Sequence, residues 1–200
     1  MRDFAVTWDY RCPFARNFAE HVLLGQTDAG DAWQVRWVPF SLNQTKVAEG
    51  DLDVWDDPEM AGARMAVEVG IAVRDGWPDA FPEVHRALFA ARHDQGRDIR
   101  DHDVVADVLT AHGLDADKVF NVVLDCGPRD TFRAEHEAAV RDHRVFGVPT
   151  VIAGDQAVFI RLVDRPGSDA TKARRTVERC LDLVTGWTNL NEFKHTSIPH

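Results

Sequence analysis

Apolar and polar positions along the chain change period several times, and each change marks the edge of an element. Phe4, Val6 and Trp8 fall on one side of a first strand. Phe18, Val22 and Leu23 then take up helical spacing, which predicts a helix after Cys12 running to about Leu24 with Gly25 as its cap. Trp33, Val35 and Trp37 return to alternation and predict a second strand ending near Pro39. A β-α-β unit of this kind has parallel strands and a right-handed crossover. An acidic, turn-rich segment from Glu49 to Pro58 interrupts the pattern.

From Pro58 to about Arg144 the period is helical almost throughout. Ala61, Met65, Val69 and Ala72 share one face, and Val84, Ala87, Leu88 and Ala91 share another after Pro82. Val104, Val105, Val108 and Leu109 form a third, closed by Gly113. Asp115 is placed to cap a helix carrying Val119, Val122 and Val123, which Gly127-Pro128 is expected to terminate, and another helix is expected from about Asp130 to Arg144. Strand character returns over Val148 to Ile152, turns at Ala153-Gly154-Asp155-Gln156 and resumes over Ala157 to Ile160, a hairpin signal. A last helix, from about Ser168 to Thr185 and ending at Gly186, places Ala173, Val177, Cys180, Leu181 and Val184 on one face. The order is therefore β-α-β, a helical block, then β-β-α, with no internal repeat to suggest a solenoid.

Composition narrows the class. With 200 residues, 44% of them hydrophobic, the chain can bury one substantial core, so the helical block reads as an insertion packed on the sheet. A net charge of -10 argues against nucleic-acid backbones and anionic membranes as partners. The densest basic group, Lys172, Arg174 and Arg175, reads as a solvated helix face. The sequence enters strand-like residues at Phe4 without a signal-peptide pattern, and no stretch is long enough to span a bilayer. Cys12, Cys126 and Cys180 are an odd number at wide spacing, unlike a secreted disulfide framework or a zinc site. Both features predict a cytoplasmic protein. The nine histidines show no metal-binding spacing, so no metal is expected, nor is a tightly bound cofactor.

The candidate chemistry centres on Cys12, where a strand turns into a helix. Pro13 suits the first helical position, because its missing N–H costs nothing there. That geometry aims the free N–H groups of the first turn and the positive end of the helix dipole at the sulfur, which predicts a thiolate-prone, reactive cysteine; a relic of a redox ancestor is the bland alternative. Asp9, three residues earlier, is either a proton acceptor that tunes the thiolate or a cap of the helix. Trp8, Tyr10 and Phe14 either line a substrate cleft or pack. His93, Arg97 and Asp98 either face the site from the helical block or occupy a solvated helix end. Cys126 reads as a buried structural thiol, with resolution of Cys12 across the insertion as the sharper alternative, and Cys180 as core.

These residues resemble a known family. Cys12-Pro13-Phe14-Ala15, the strand start Gly147-Val148-Pro149-Thr150 and the long helical segment between them are similar to the DsbA-like branch of the thioredoxin superfamily. Ala87-Leu88-Phe89-Ala90-Ala91, Gly96-Arg97-Asp98-Ile99 and Gly113-Leu114-Asp115 resemble its FrnE-like members, a group that also holds 2-hydroxychromene-2-carboxylate isomerases, kappa-class glutathione transferases and mycothiol-dependent reductases. The resemblance implies an α/β thioredoxin-like domain over residues 1–57 and 145–187, a helical insertion over 58–144 and a C-terminal tail over 188–200. It implies Cys12 as nucleophile, Pro149 as the cis-proline beside it, and Val148 as the residue whose backbone meets an extended thiol substrate, with Pro13, Phe14, Ala15, Tyr10 and His93 around it. The departure is Ala15, where dithiol members carry a second cysteine; a mixed disulfide on Cys12 then needs a thiol from elsewhere. The expected function is a single-cysteine oxidoreductase using glutathione or mycothiol on a small-molecule or protein disulfide. The alternatives are a thiol-dependent isomerase or transferase acting on a small aromatic substrate, and a redox-inactive binding protein.

Overall fold

The computed structural model describes residues 1–192, 194, 195 and 198; the expected tail over 188–200 lies partly outside them. Four strands, β1 (Arg2–Trp8), β2 (Trp33–Pro39), β3 (Thr150–Ala153) and β4 (Gln156–Phe159), form one mixed sheet in the order β2-β1-β3-β4. β1 and β2 are parallel, with Trp8 opposite Pro39, while β3 is antiparallel to both β1 and β4. Helix α1 (Pro13–Ala29) makes the crossover between the parallel strands. Five helices separate β2 from β3: α2 (Ala61–Gly76), α3 (Phe81–His93), α4 (His102–Ala111), α5 (Ala116–Leu124) and α6 (Gly127–His143). The chain returns through the β3-β4 hairpin to α7 (Ala170–Gly186).

Burial along β1 departs from the expected alternation. Phe4, Ala5, Val6, Thr7 and Trp8 are all buried, so helices cover both faces of the central strand. α1 and α7 pack on each other and on the sheet. The insertion docks through aromatic contacts: the His85 ring of α3 lies with its centroid 4.9 Å from that of Trp8 and 4.7 Å from that of Trp37. Burying each large apolar side chain of this kind is worth roughly 1.5–3 kcal/mol. The approach is close at Gly70 of α2, where an added Cβ would sit 2.6 Å from the Tyr10 hydroxyl and 2.7 Å from Trp8 Cη2.

Three boundaries differ from expectation. Gly25 does not end α1; the helix continues to Ala29, and Gly30, at φ 51°, is its cap. Gly25 instead lets α1 approach α7, since a Cβ there would lie 2.9 Å from the Arg174 backbone nitrogen. Gly127-Pro128 opens α6 rather than merely closing α5, because Cys126 turns the chain with φ 63° and Pro128 occupies the first turn. β3 begins at Thr150 rather than Val148: Pro149 has no N–H to give a ladder, and the Thr150 N–H donates to Thr7 Oγ1 at 2.8 Å. No helix among the described residues is long and apolar enough to cross a membrane.

Candidate active site

Cys12 stands at the junction of β1 and α1. Its N–H donates to the Asp9 carbonyl at 3.0 Å, closing a tight turn, and its sulfur caps the helix, accepting from the Ala15 N–H at 3.4 Å. Pro13 follows at the first helical position. On its other side the Sγ–H donates to the Val148 carbonyl at 3.2 Å, and the Val148–Pro149 peptide bond is cis. The sulfur is thus surrounded by backbone groups, with Ala15, itself buried, one helical turn away. Only 8% of Cys12 is exposed.

The electrostatics correct the expected thiolate. Burial pushes the Cys12 thiol above its ordinary value, and the N–H groups of Ala15 and Phe14 pull it back only in part. The Asp9 charge pushes it further up and Arg161 draws it down. The net direction favours the protonated thiol, which donates to the Val148 carbonyl.

Asp9 neither caps α1 nor touches the sulfur. Its carboxylate accepts from Arg11 Nε and the Arg11 N–H on one oxygen, and from Arg11 Nη2 at 2.7 Å and the Leu42 N–H at 3.0 Å on the other. Arg11 also binds Asn43. The knot ties the cysteine turn to the segment after β2 and occupies both Asp9 oxygens.

Tyr10, expected as a possible cleft residue, is completely buried. Its hydroxyl meets His85 Nδ1 at 2.9 Å and its ring packs on Trp8 and Phe89. His93 Nε2 donates to the Tyr10 carbonyl at 2.9 Å, so His93 supports the turn from below, and burial lowers its basicity. His93, Arg97 and Asp98 do line a common cleft of about 400 Å³. Arg97 is paired with Asp107 and Asp98 with Arg100, so these charges are mutually committed within the insertion.

The other two thiols lie in different places. Cys126 is only partly buried, at the left-handed turn before α6, where its sulfur donates to the Leu124 carbonyl at 3.5 Å. Cys180 is half-buried at the rim of the core on α7, and burial pushes its thiol up to about 11. No cluster of His, Cys, Asp or Glu among the described residues is arranged to hold a metal ion.

Two neighbours of the site, Arg161 and Asn17, escaped sequence reasoning. Phe14 is half-buried, and the Arg161 guanidinium carbon sits 4.5 Å above its ring centroid. Asn17, on the buried face of α1, donates to the carbonyls of Leu162 and Val163 at 3.0 and 2.9 Å, strapping the segment after β4 against α1. A polar residue at Asn17 within an apolar helix face was the available signal; nothing local marks Arg161.

A mixed sheet of order β2-β1-β3-β4, a cysteine capping the first helix and a cis-proline strand start facing it define a thioredoxin-like protein with a helical insertion. The chain belongs to the DSBA-like thioredoxin domain family, whose family model matches residues 6–166. It is similar to a probable DsbA oxidoreductase from Streptomyces coelicolor, with a TM-score of 0.62 and 15% identity over 98% of this chain and 94% of that one. It is also similar to a 2-hydroxychromene-2-carboxylate isomerase, with a TM-score of 0.61 and 16% identity over 90% of this chain and 96% of that one. DsbA from Xylella fastidiosa gives a TM-score of 0.56 at 17% identity, covering 90% and 84%. No curated protein matches the chain significantly. At these identities the likeness to solved structures is one of fold, and the fold carries both oxidoreductases and an isomerase.

Proposed function

We propose that the protein is a single-thiol enzyme in which a low-molecular-weight thiol or its disulfide lies extended along Val148, with its sulfur against Cys12. The observation that carries this reading is the surroundings of Cys12: two backbone N–H groups and one carbonyl address the sulfur, and the residue one turn along is Ala15. With no neighbouring thiol, the exchange must run through two solution partners. Cys12 attacks a disulfide R–S–S–R′ as its thiolate, giving Cys12–S–S–R and releasing R′–SH once the leaving thiolate takes up the proton. A second R–SH then attacks the mixed disulfide, releasing R–S–S–R and restoring the Cys12 thiol. Glutathione and mycothiol are the candidate thiols.

The raised Cys12 pKa favours a second reading, in which the bound small thiol is the reacting sulfur and the Cys12 S–H is a hydrogen-bond donor to it. This is the isomerase or transferase alternative. Incubation with oxidised glutathione and with the disulfide of mycothiol, followed by intact-mass measurement and peptide mapping, separates them. Exchange predicts one adduct per chain, on Cys12, and none in Cys12→Ser. The absence of any Cys12 adduct, with thiol-dependent activity kept in Cys12→Ser, refutes exchange.

A further inference from the structure

Three arginines at the cysteine turn or against α1 are committed. Arg11 is held by Asp9 and Asn43, Arg16 by Asp94 and Asn17, and Arg165 by Glu20 and Asp94. Arg161 differs: among the described residues no carboxylate pairs with it, it is exposed, and its guanidinium stacks over Phe14, two residues beyond Cys12. Its backbone is pinned on both sides. The Ile160 N–H donates to the Pro149 carbonyl at 2.9 Å, and Asn17 holds the carbonyls of Leu162 and Val163. Stacking on a ring fixes the plane of a guanidinium while leaving its N–H edge free for a bidentate acceptor. The chain as a whole carries a charge of -10, so an anion reaching the sulfur needs a local cation.

We propose that Arg161 is the carboxylate anchor of the Cys12 site, which makes the small thiol or disulfide taken there an acidic one. The inference rests on the thiol-site reading above. It favours glutathione, which carries carboxylates, over mycothiol, which carries none. The position of Arg161 gives it a second, weaker effect, since its charge also bears on the Cys12 thiol. A rate change common to all substrates would express that effect alone.

The test therefore reads a ratio. Rates of mixed-disulfide formation at Cys12 are measured with 3,3′-dithiodipropionate, which carries two carboxylates, and with bis(2-hydroxyethyl) disulfide, which is neutral, in the wild type, Arg161→Gln and Arg161→Lys. A charge-assisted pair lost from a partly exposed site lowers the dicarboxylate rate, relative to the neutral one, by about tenfold in Arg161→Gln. Arg161→Lys, with charge but no planar fork, recovers part of it. An unchanged ratio in Arg161→Gln overturns the anchor while leaving the thiol site standing, because the neutral probe reports that site by itself. A wild type in which neither probe modifies Cys12 removes the exchange reading and the anchor with it.

Discussion

Acid should weaken this fold well before its surface carboxylates titrate, and two buried histidines set the size of the effect. His85 is fully enclosed by Trp8, Tyr10, Trp37 and Phe81, and burial lowers its pKa to about 3. His136 of α6 accepts the Ser41 N–H at Nδ1 and packs on Phe40, and burial lowers it to about 4. Both folded values lie below the unfolded value of about 6.5, so the unfolded chain takes up protons first as pH falls. The stability is fully present above about pH 6.5 and is lost progressively as pH falls toward the folded values. Linkage gives about 2 kcal/mol per group near pH 5 relative to pH 8, or about 4 kcal/mol for the pair. That is a large part of a typical stability of about 5–15 kcal/mol. His21 and His93, also lowered by burial, act in the same direction; Glu68, raised by burial, acts in the opposite one. Urea titration followed by tryptophan fluorescence should show the midpoint falling by about 1–2 M between pH 8 and pH 5. His136→Gln keeps an oxygen to accept the Ser41 N–H but cannot titrate, so its pH-dependent loss should be about half as large. An equal midpoint at both pH values, or a full-sized loss in His136→Gln, refutes the reasoning.

Gly70→Ala should destabilise the protein by about 1–3 kcal/mol through overpacking, since its Cβ would meet Tyr10 and Trp8 at 2.6 and 2.7 Å; thermal unfolding against the wild type measures this. Alkylation of Cys12, followed peptide by peptide over pH, should give a midpoint above the free-cysteine value of about 8.5, because burial outweighs the helix N–H groups at its sulfur. A midpoint below that value would show that the helix start dominates after all.

Local pattern made the parallel strands, the cysteine at the helix start, the hairpin and the helices of the insertion legible in the sequence. It failed where the deciding partner is distant along the chain. Gly25 and Gly30 look alike as helix terminators, and only the approach of Arg174 on α7 shows which one is packing and which is the cap. Asp9 reads as a catalytic or capping residue until Leu42 and Arg11 are seen to occupy its oxygens. Tyr10 stands between cleft and packing roles until His85 appears behind it. The sign of the Cys12 shift has the same origin: the helix N–H groups lie within three residues and can be counted, but the burial that outweighs them is set by the fold, and the Val148 carbonyl beside the sulfur comes from 136 residues along the chain.

The central claim is that Cys12 works without a second protein thiol, and discharge of its mixed disulfide tests that most directly. The Cys12 adduct of a small thiol is prepared, freed of excess reagent and followed by intact mass, first alone and then with added reduced thiol. The account predicts an adduct that persists alone and is released only when the reduced thiol is added, with Cys12, Cys126 and Cys180 all free afterwards. Spontaneous loss of the adduct with formation of a disulfide between Cys12 and either other cysteine would contradict it.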